Sequence, residues 1–374
     1  MLNKNIIITG TFITIIFGVS ILNILTPSKV YSASEKRKLA QLPSINISSF
    51  IDGTFSKQFE EYYNDQFTLR DMWINLKTSV EVLSNKKDIN GVYLAKDNYL
   101  IENSSTFDIE NFNKNLNHIT TMVNYYSSCF NKENINVMLI PTASEILSDK
   151  LPMYADTTSQ LPLLSQARDL LGDNFINTYP ILKEHNTEYI YYKTDHHWTT
   201  LGAYYAYTEW ANKKNIQPIN IDTLNLKNVS TDFKGTLYSK LNYSKEADSI
   251  NIYNPEAKYN IRYNLGTNSY STLYELSHTK TSDQYSLFLN GNHGLVQIDS
   301  SNKNGKKLVV FKDSYANCFI PFIADEYETI YIIDLRYFNG KVSNFINENN
   351  ITELLLLYNI NSLSTDTNLY KLNK

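Results

Sequence analysis

The chain has 374 residues, 42% of them hydrophobic, with 34 basic against 38 acidic residues and a net charge of −4. That is enough for one large α/β domain with an appendage, or for two modest domains. No basic excess exists to neutralise phosphates, which argues against nucleic acid as a partner. The 29 tyrosines, against 3 tryptophans, admit two readings. They could offer aromatic faces to sugar rings, or simply accompany the abundant Asn, Lys and Ile of AT-rich coding. Cys129 and Cys318 lie far apart and show no zinc-site spacing. They could pair outside the cell, yet their apolar surroundings suit buried free thiols.

In chain order, residues 1–28 hold the uncharged run Ile6–Thr26. At 1.5 Å per residue such a run of about 20 residues matches the hydrocarbon thickness of a bilayer. Lys4 on its short side puts the amino terminus in the cytoplasm by the positive-inside rule. We expect an uncleaved signal anchor and a single-pass membrane protein. The alternative is cleavage near the small residues of Val30–Ser34. Either reading exports all residues after 29. Residues 29–50, with the charged Ser34–Pro43, read as a linker. Residues 51–106 read as a helical and β extension packing on the next domain. There Phe55, Phe59, Tyr62 and Tyr63, then Trp73, Leu76 and Val80, repeat at helical steps, and short β-like runs flank a Lys96–Asn98 turn.

Residues 107–374 alternate. Phe107–Asn131, Leu161–Leu171, Ala316–Ala324 and Val342–Glu348 read as helices. Ile135–Pro141, Lys307–Phe311, Thr329–Asp334 and Leu354–Leu357 read as strands. Short, uniformly apolar strands between helices indicate an α/β fold, a parallel sheet with helices on both faces. The Asn-, Ser- and Tyr-rich stretch 216–299 reads as a β-rich insertion. No internal repeat, phosphate-binding glycine loop or GxSxG elbow is present.

Two segments carry chemistry. In Val309–Tyr315 a strand ends and a helix begins at Ser314. The carboxyl end of a parallel strand is where ligands bind in open α/β sheets, and the helix start offers N–H groups to an oxyanion. Taken alone, Asp313 or Ser314 is equally well a helix N-cap. The other segment, Lys193–Thr200, holds Asp195, His196, His197 and Trp198 just before a helix. In an extended strand Asp195 and His197 share a face while His196 and Trp198 point away. A carboxylate can fix the tautomer of an imidazole, which then activates a serine hydroxyl. Two alternatives stay open here: a metal cluster of Asp195, His196 and His197, and a polar loop that caps the helix.

The string Asp-His-His-Trp at 195–198, within TDHHWTTLGAYYAY, resembles the signature of the DHHW family, which is related to the alginate O-acetyltransferases. FTLRD at Phe67–Asp71, IPTASEILSDKLP at Ile140–Pro152, LNGNH at Leu289–His293, FKDSY at Phe311–Tyr315 and IDLRYF at Ile333–Phe338 extend the likeness. The resemblance implies an SGNH-hydrolase-like fold. It implies Asp195 as orienting acid, His197 as base and Ser314 as the nucleophile that becomes acetylated, with no metal and no cofactor. His196 falls at the variable position. Arg336 follows a strand, as an active-site arginine does in the related enzymes. Asn292, as an oxyanion donor, and His293, Tyr358 and Asn359 are further candidates. Lys312-Asp313 depart from relatives that often carry glycine before the serine.

The function so implied is extracytoplasmic O-acetyl transfer to a cell-surface or secreted polysaccharide. A membrane-bound O-acyltransferase would be the acetyl donor. A carbohydrate acetylesterase with the same residues is the alternative, and a non-catalytic polysaccharide-binding or assembly protein is a second.

Overall fold

The computed structural model describes residues 4–105 and 107–374. The chain forms two compact units. One comprises the residues up to Lys86 together with Ser239–Tyr243; the other comprises Lys87–Tyr238 and Ser244–Lys374.

The first unit begins with helix α1 (Lys4–Leu25), none of whose residues is buried against protein and which is long and apolar enough to cross a membrane. Helices α2 (Thr54–Asp65) and α3 (Arg70–Leu83) realise the aromatic periodicity. They are separated at Leu69, which takes φ 56°, a left-handed value that no helix continues through. The stretch 29–50, read as a linker, is tied down. The Arg37 guanidinium grips Asp65 in two bonds of 2.5 and 2.8 Å. Asp65 also accepts from the Ala40 N–H, and Gln66 donates to the carbonyls of Lys29 and Ala40. Charge-assisted bidentate bonds hold such a strap where composition alone reads as linker.

The second unit opens with the hairpin β1 (Val92–Leu94) and β2 (Leu100–Glu102), then α4 (Ile109–Tyr126). It continues with β3 (Ile135–Ile140), α5 (Leu161–Leu171), β4 (Phe175–Ile176) and α6 (Thr200–Lys213). Next come β5 (Leu226–Phe233), β6 (Asp248–Tyr253), β7 (Asn260–Tyr263) and β8 (Leu295–Asp299). The chain ends with β9 (Lys307–Lys312), α7 (Ala316–Ile323), β10 (Thr329–Ile333), α8 (Val342–Glu348), β11 (Glu353–Asn359) and α9 (Ile360–Thr365). The main sheet runs β7–β8–β10–β9–β11–β3–β4. Strands β10, β9, β11, β3 and β4 pair in parallel, while β8 pairs antiparallel with both β10 and β7.

The period of two along each strand divides the core. Leu308, Val310, Leu355, Leu357, Met138 and Ile140 face one layer with Tyr207 and Trp210 of α6 and Phe319 of α7. Val309, Phe311, Leu354, Leu356, Val137 and Leu139 face the other with Phe112 and Leu116 of α4, Val342 of α8 and Leu363 of α9. Both faces are covered, as uniformly apolar strands require.

Three expectations change. Residues 216–299 are only partly an insertion: β5 and β6 form a separate two-stranded ribbon, but β7 and β8 complete the main sheet. The unit boundary falls at Lys86/Lys87 and not at 106/107, because Val92, Tyr93 and Ile101 of the hairpin are buried, Tyr93 and Ile101 in the sheet-facing core. Cys318 is a buried free thiol, whereas Cys129 is free and exposed. Tyr191, Tyr192, Tyr207, Tyr315 and Tyr358 rank among the largest fully buried side chains, so much of the tyrosine excess is core.

Leu356 is fully buried at the middle of the sheet. Leu356→Ala leaves a cavity between two layers and is expected to cost about 2–5 kcal/mol in a urea unfolding titration.

Candidate active site

The carboxyl ends of β9, β10 and β11 lie side by side, and the chain leaves β9 through Lys312, Asp313 and Ser314 into α7. The capping question resolves between neighbours. The Asp313 carboxylate accepts from the Tyr315 N–H (2.9 Å) and from the backbone and side-chain amides of Asn359 (2.8 and 2.7 Å). Ser314 Oγ does not cap; it meets His197 Nε2 at 2.6 Å. Asn359, next to the candidate Tyr358, therefore anchors the turn that presents the serine.

His197 and Asp195 come together, but not through strand alternation. Residues 193–197 form bends, and the pair is joined by an Asx turn: Asp195 Oδ1 accepts the His197 N–H at 3.0 Å and meets His197 Nδ1 at 2.5 Å. A carboxylate only accepts, so Nδ1 carries the proton and Nε2 of the neutral ring is left to accept from Ser314. His196 does not point away. Its ring lies 3.9 Å from that of His197 and its Nδ1 is 2.6 Å from Thr236 Oγ1.

The surrounding segments lock this loop. Asp195 Oδ2 accepts from both the N–H (2.7 Å) and hydroxyl (3.1 Å) of Thr236. The buried Asp248 accepts from the N–H of Lys193 and the N–H and hydroxyl of Thr194 at 2.5–2.7 Å, and from Tyr189. Trp198 Nε1 donates to the Tyr315 carbonyl at 2.9 Å, and Tyr315 OH donates to the His196 carbonyl at 2.5 Å. The two motif segments are thus cross-linked in both directions. Gly235 presses so closely on Asp195 that a Cβ there would overlap the aspartate's backbone and side chain.

Tyr285 was not signalled by the sequence. Its ring stacks on His197 at 3.8 Å and 9°, and its hydroxyl donates to the Ser314 carbonyl. It comes from a short 3₁₀ turn with no motif or period around it. Thr236 and Asp248 were equally silent, each an ordinary polar residue of the 216–299 stretch.

Burial alone would raise the Asp195 carboxyl. His197, His196 and the hydrogen bonds from His197 and the Thr236 N–H outweigh it and hold the group well below the usual carboxylate range. Burial, reinforced by His196 and opposed by Asp195, pushes His197 down to about 4. The resting pair is carboxylate and neutral imidazole, the forms a general base requires.

The other candidates fall as follows. Lys312 is 1% exposed and contacts Asn292 Oδ1 at 2.5 Å and Asn317 Oδ1 at 2.9 Å, with Asp334 3.6 Å away. Arg336 grips the fully buried Asp334 through Nε (2.9 Å) and Nη2 (2.6 Å). His293 meets the Asn290 carbonyl at 2.9 Å. Tyr358 is a core side chain whose hydroxyl reaches Asp366 at 3.4 Å; it is not brought to Ser314. Asp195, His196 and His197 each place one ligand atom within 4.8 Å of the others. Both nitrogens of His197 and both oxygens of Asp195 are already engaged by Ser314, Thr236 and each other, so a metal would have to displace these bonds.

Taken together these features define an α/β protein with a Ser–His–Asp hydrogen-bonded chain at the carboxyl edge of its sheet. The DHHW protein family matches residues 91–333, and the chain belongs to that family. A DHHW family protein from Eubacterium siraeum is similar in structure at 28% identity and TM-score 0.63, covering 76% of this chain and 96% of that one. Bacillus cereus PatB1 with a sulfonyl adduct is similar at 20% identity and TM-score 0.63, covering 76% and 100%. A second PatB1 structure is similar at 21% and 0.59, covering 73% and 97%. No curated protein matches the sequence.

Gly235→Ala forces Asp195 to move, so it is expected to cost about 1–3 kcal/mol in thermal melts and to slow labelling of Ser314 by an activated ester. A depressed His197 leaves the base neutral well into the acid range. The acid limb of kcat/KM for ester cleavage should therefore fall near pH 4, as a property of the Asp195–His197 pair, and not near the ordinary imidazole value of about 6.5.

Proposed function

We propose that this protein is an O-acetyltransferase that modifies a polysaccharide through an acetyl-serine intermediate on Ser314. The observation that carries the reading is the continuous chain from Asp195 through His197 to Ser314, with contacts of 2.5 and 2.6 Å. Ser314 Oγ attacks the acetyl carbonyl while its proton passes to His197 Nε2. The C–O bond forms, and the carbonyl oxygen carries the negative charge. That oxyanion is met by the Ser314 N–H and by the Asn292 amide. Collapse expels the donor's alcohol, which takes the proton from His197. The sugar hydroxyl then repeats the sequence in reverse, giving its proton to His197 and receiving the acetyl group. Asp195 stabilises the imidazolium formed in each half.

The place of Ser314 just after β9, in a sheet covered on both faces, supports an arrangement of the SGNH-hydrolase kind, and PatB1, described with a sulfonyl adduct, is similar in fold. Helix α1 supports a signal anchor that keeps the second unit outside the cytoplasm, near a membrane-bound O-acyltransferase that would supply the acetyl group. One observation favours a second reading: Ser314 is only partly buried, so water can reach its ester, and hydrolysis would make the protein a carbohydrate acetylesterase.

Intact-protein mass spectrometry after incubation with an activated acetyl ester should find one acetyl group on Ser314, absent from Ser314→Ala and formed about 10²–10⁴-fold more slowly in His197→Ala. Labelling elsewhere in an active preparation would falsify the mechanism. Release of the adduct that accelerates with added oligosaccharide indicates transfer; release indifferent to sugar indicates an esterase.

A further inference from the structure

A buried lysine is a poor stabiliser, because taking an ammonium out of water costs several kcal/mol unless an anion compensates it fully. Lys312 is compensated only in part. Of the two carboxylates that act on it, Asp334 stands 3.6 Å from Lys312 Nζ and already carries a bidentate Arg336, while Asp313 is taken up by Tyr315 and Asn359. The nearer partners are two neutral amide oxygens, Asn292 Oδ1 and Asn317 Oδ1. Burial pulls Lys312 down to about 8, with Arg336 reinforcing the fall and Asp334 and Asp313 opposing it. Such an arrangement calls for a role other than stability.

The partners differ in exposure. Asn317 is buried in the first turn of α7, and its N–H donates to the Ser314 carbonyl. Asn292 is exposed, yet its oxygen is held from below by the Lys312 ammonium and by Asn317 Nδ2 at 3.2 Å. An ammonium only donates, so the atom of Asn292 facing it must be oxygen. Among the described residues the opposite atom, Nδ2, meets no protein acceptor, and the residue is exposed.

We infer that Lys312 is a positioning residue: it locks the Asn292 carboxamide with its oxygen inward, so that the amide N–H is presented to the oxyanion formed at Ser314. The inference rests on the acetyl-serine reading.

The test is a double-mutant cycle on the rate of Ser314 acetylation, followed by intact mass with an activated acetyl ester. Asn292→Ala should slow acetylation about 10²-fold, the size expected for one oxyanion donor. Lys312→Met, similar in shape and uncharged, should slow it comparably, and the double variant should be no slower than Asn292→Ala alone. Lys312→Gln, which keeps an N–H for Asn292 Oδ1, should recover part of the rate. Should Lys312→Met not fold, Lys312→Gln carries the cycle. Additive losses, or a Lys312→Gln no faster than Lys312→Met, overturn the inference while leaving the acetyl-serine reading standing. Absence of any adduct on Ser314 in the unmodified protein overturns the reading itself.

Discussion

An ionised carboxylate held almost entirely out of water sets the terms for the rest of the site. Asp195 is 2% exposed, and it stays charged because four donors converge on it, two from His197 and two from Thr236. Removing any of them would leave part of a buried charge unmet, which is costly in a low-dielectric interior. The close approach of Gly235, the bends of residues 193–197 and the Asp248 clamp on Lys193 and Thr194 all serve to deliver those donors. The imidazole tautomer and the direction of the Ser314 hydroxyl are in turn consequences of that charge.

The sheet supplies the other half of the geometry. Parallel register brings the ends of β9, β10 and β11 to one edge, where Lys312, Asp313, Asp334 and Asn359 meet. A polar knot of this kind could not sit mid-sheet, where both faces are filled by apolar layers. Trp198 and Tyr315 tie the edge to the histidine loop through two hydrogen bonds that involve main-chain carbonyls. Such contacts depend on backbone position and specify how the two segments dock.

Much of this was legible in the sequence, for identifiable reasons. Uniformly apolar runs such as Leu354–Leu357 announce strands buried on both faces, and they form the sheet core. Asp195, His197 and Ser314 were recognisable because a motif and a strand end constrain them. The way Asp195 reaches His197 was not, since an Asx turn and not strand alternation joins them. Other features were illegible because they depend on distant partners. Nothing local in residues 29–50 announces that Arg37 will grip Asp65, and nothing near Asn260–Tyr263 announces that it will pair with β8 at the sheet edge. Tyr285 lies 88 positions after His197 in a turn without period, so only tertiary packing brings it there.

The stacking of Tyr285 on His197, with His196 packed on the same imidazole, bears on the thermal behaviour of the protein. A histidine free to turn about its side-chain bonds would surrender rotamer entropy each time it aligned with the serine. Here that loss is taken during folding, when the rings pack. The alignment of His197 with Ser314 should then hold on warming until the aromatic packing itself gives way.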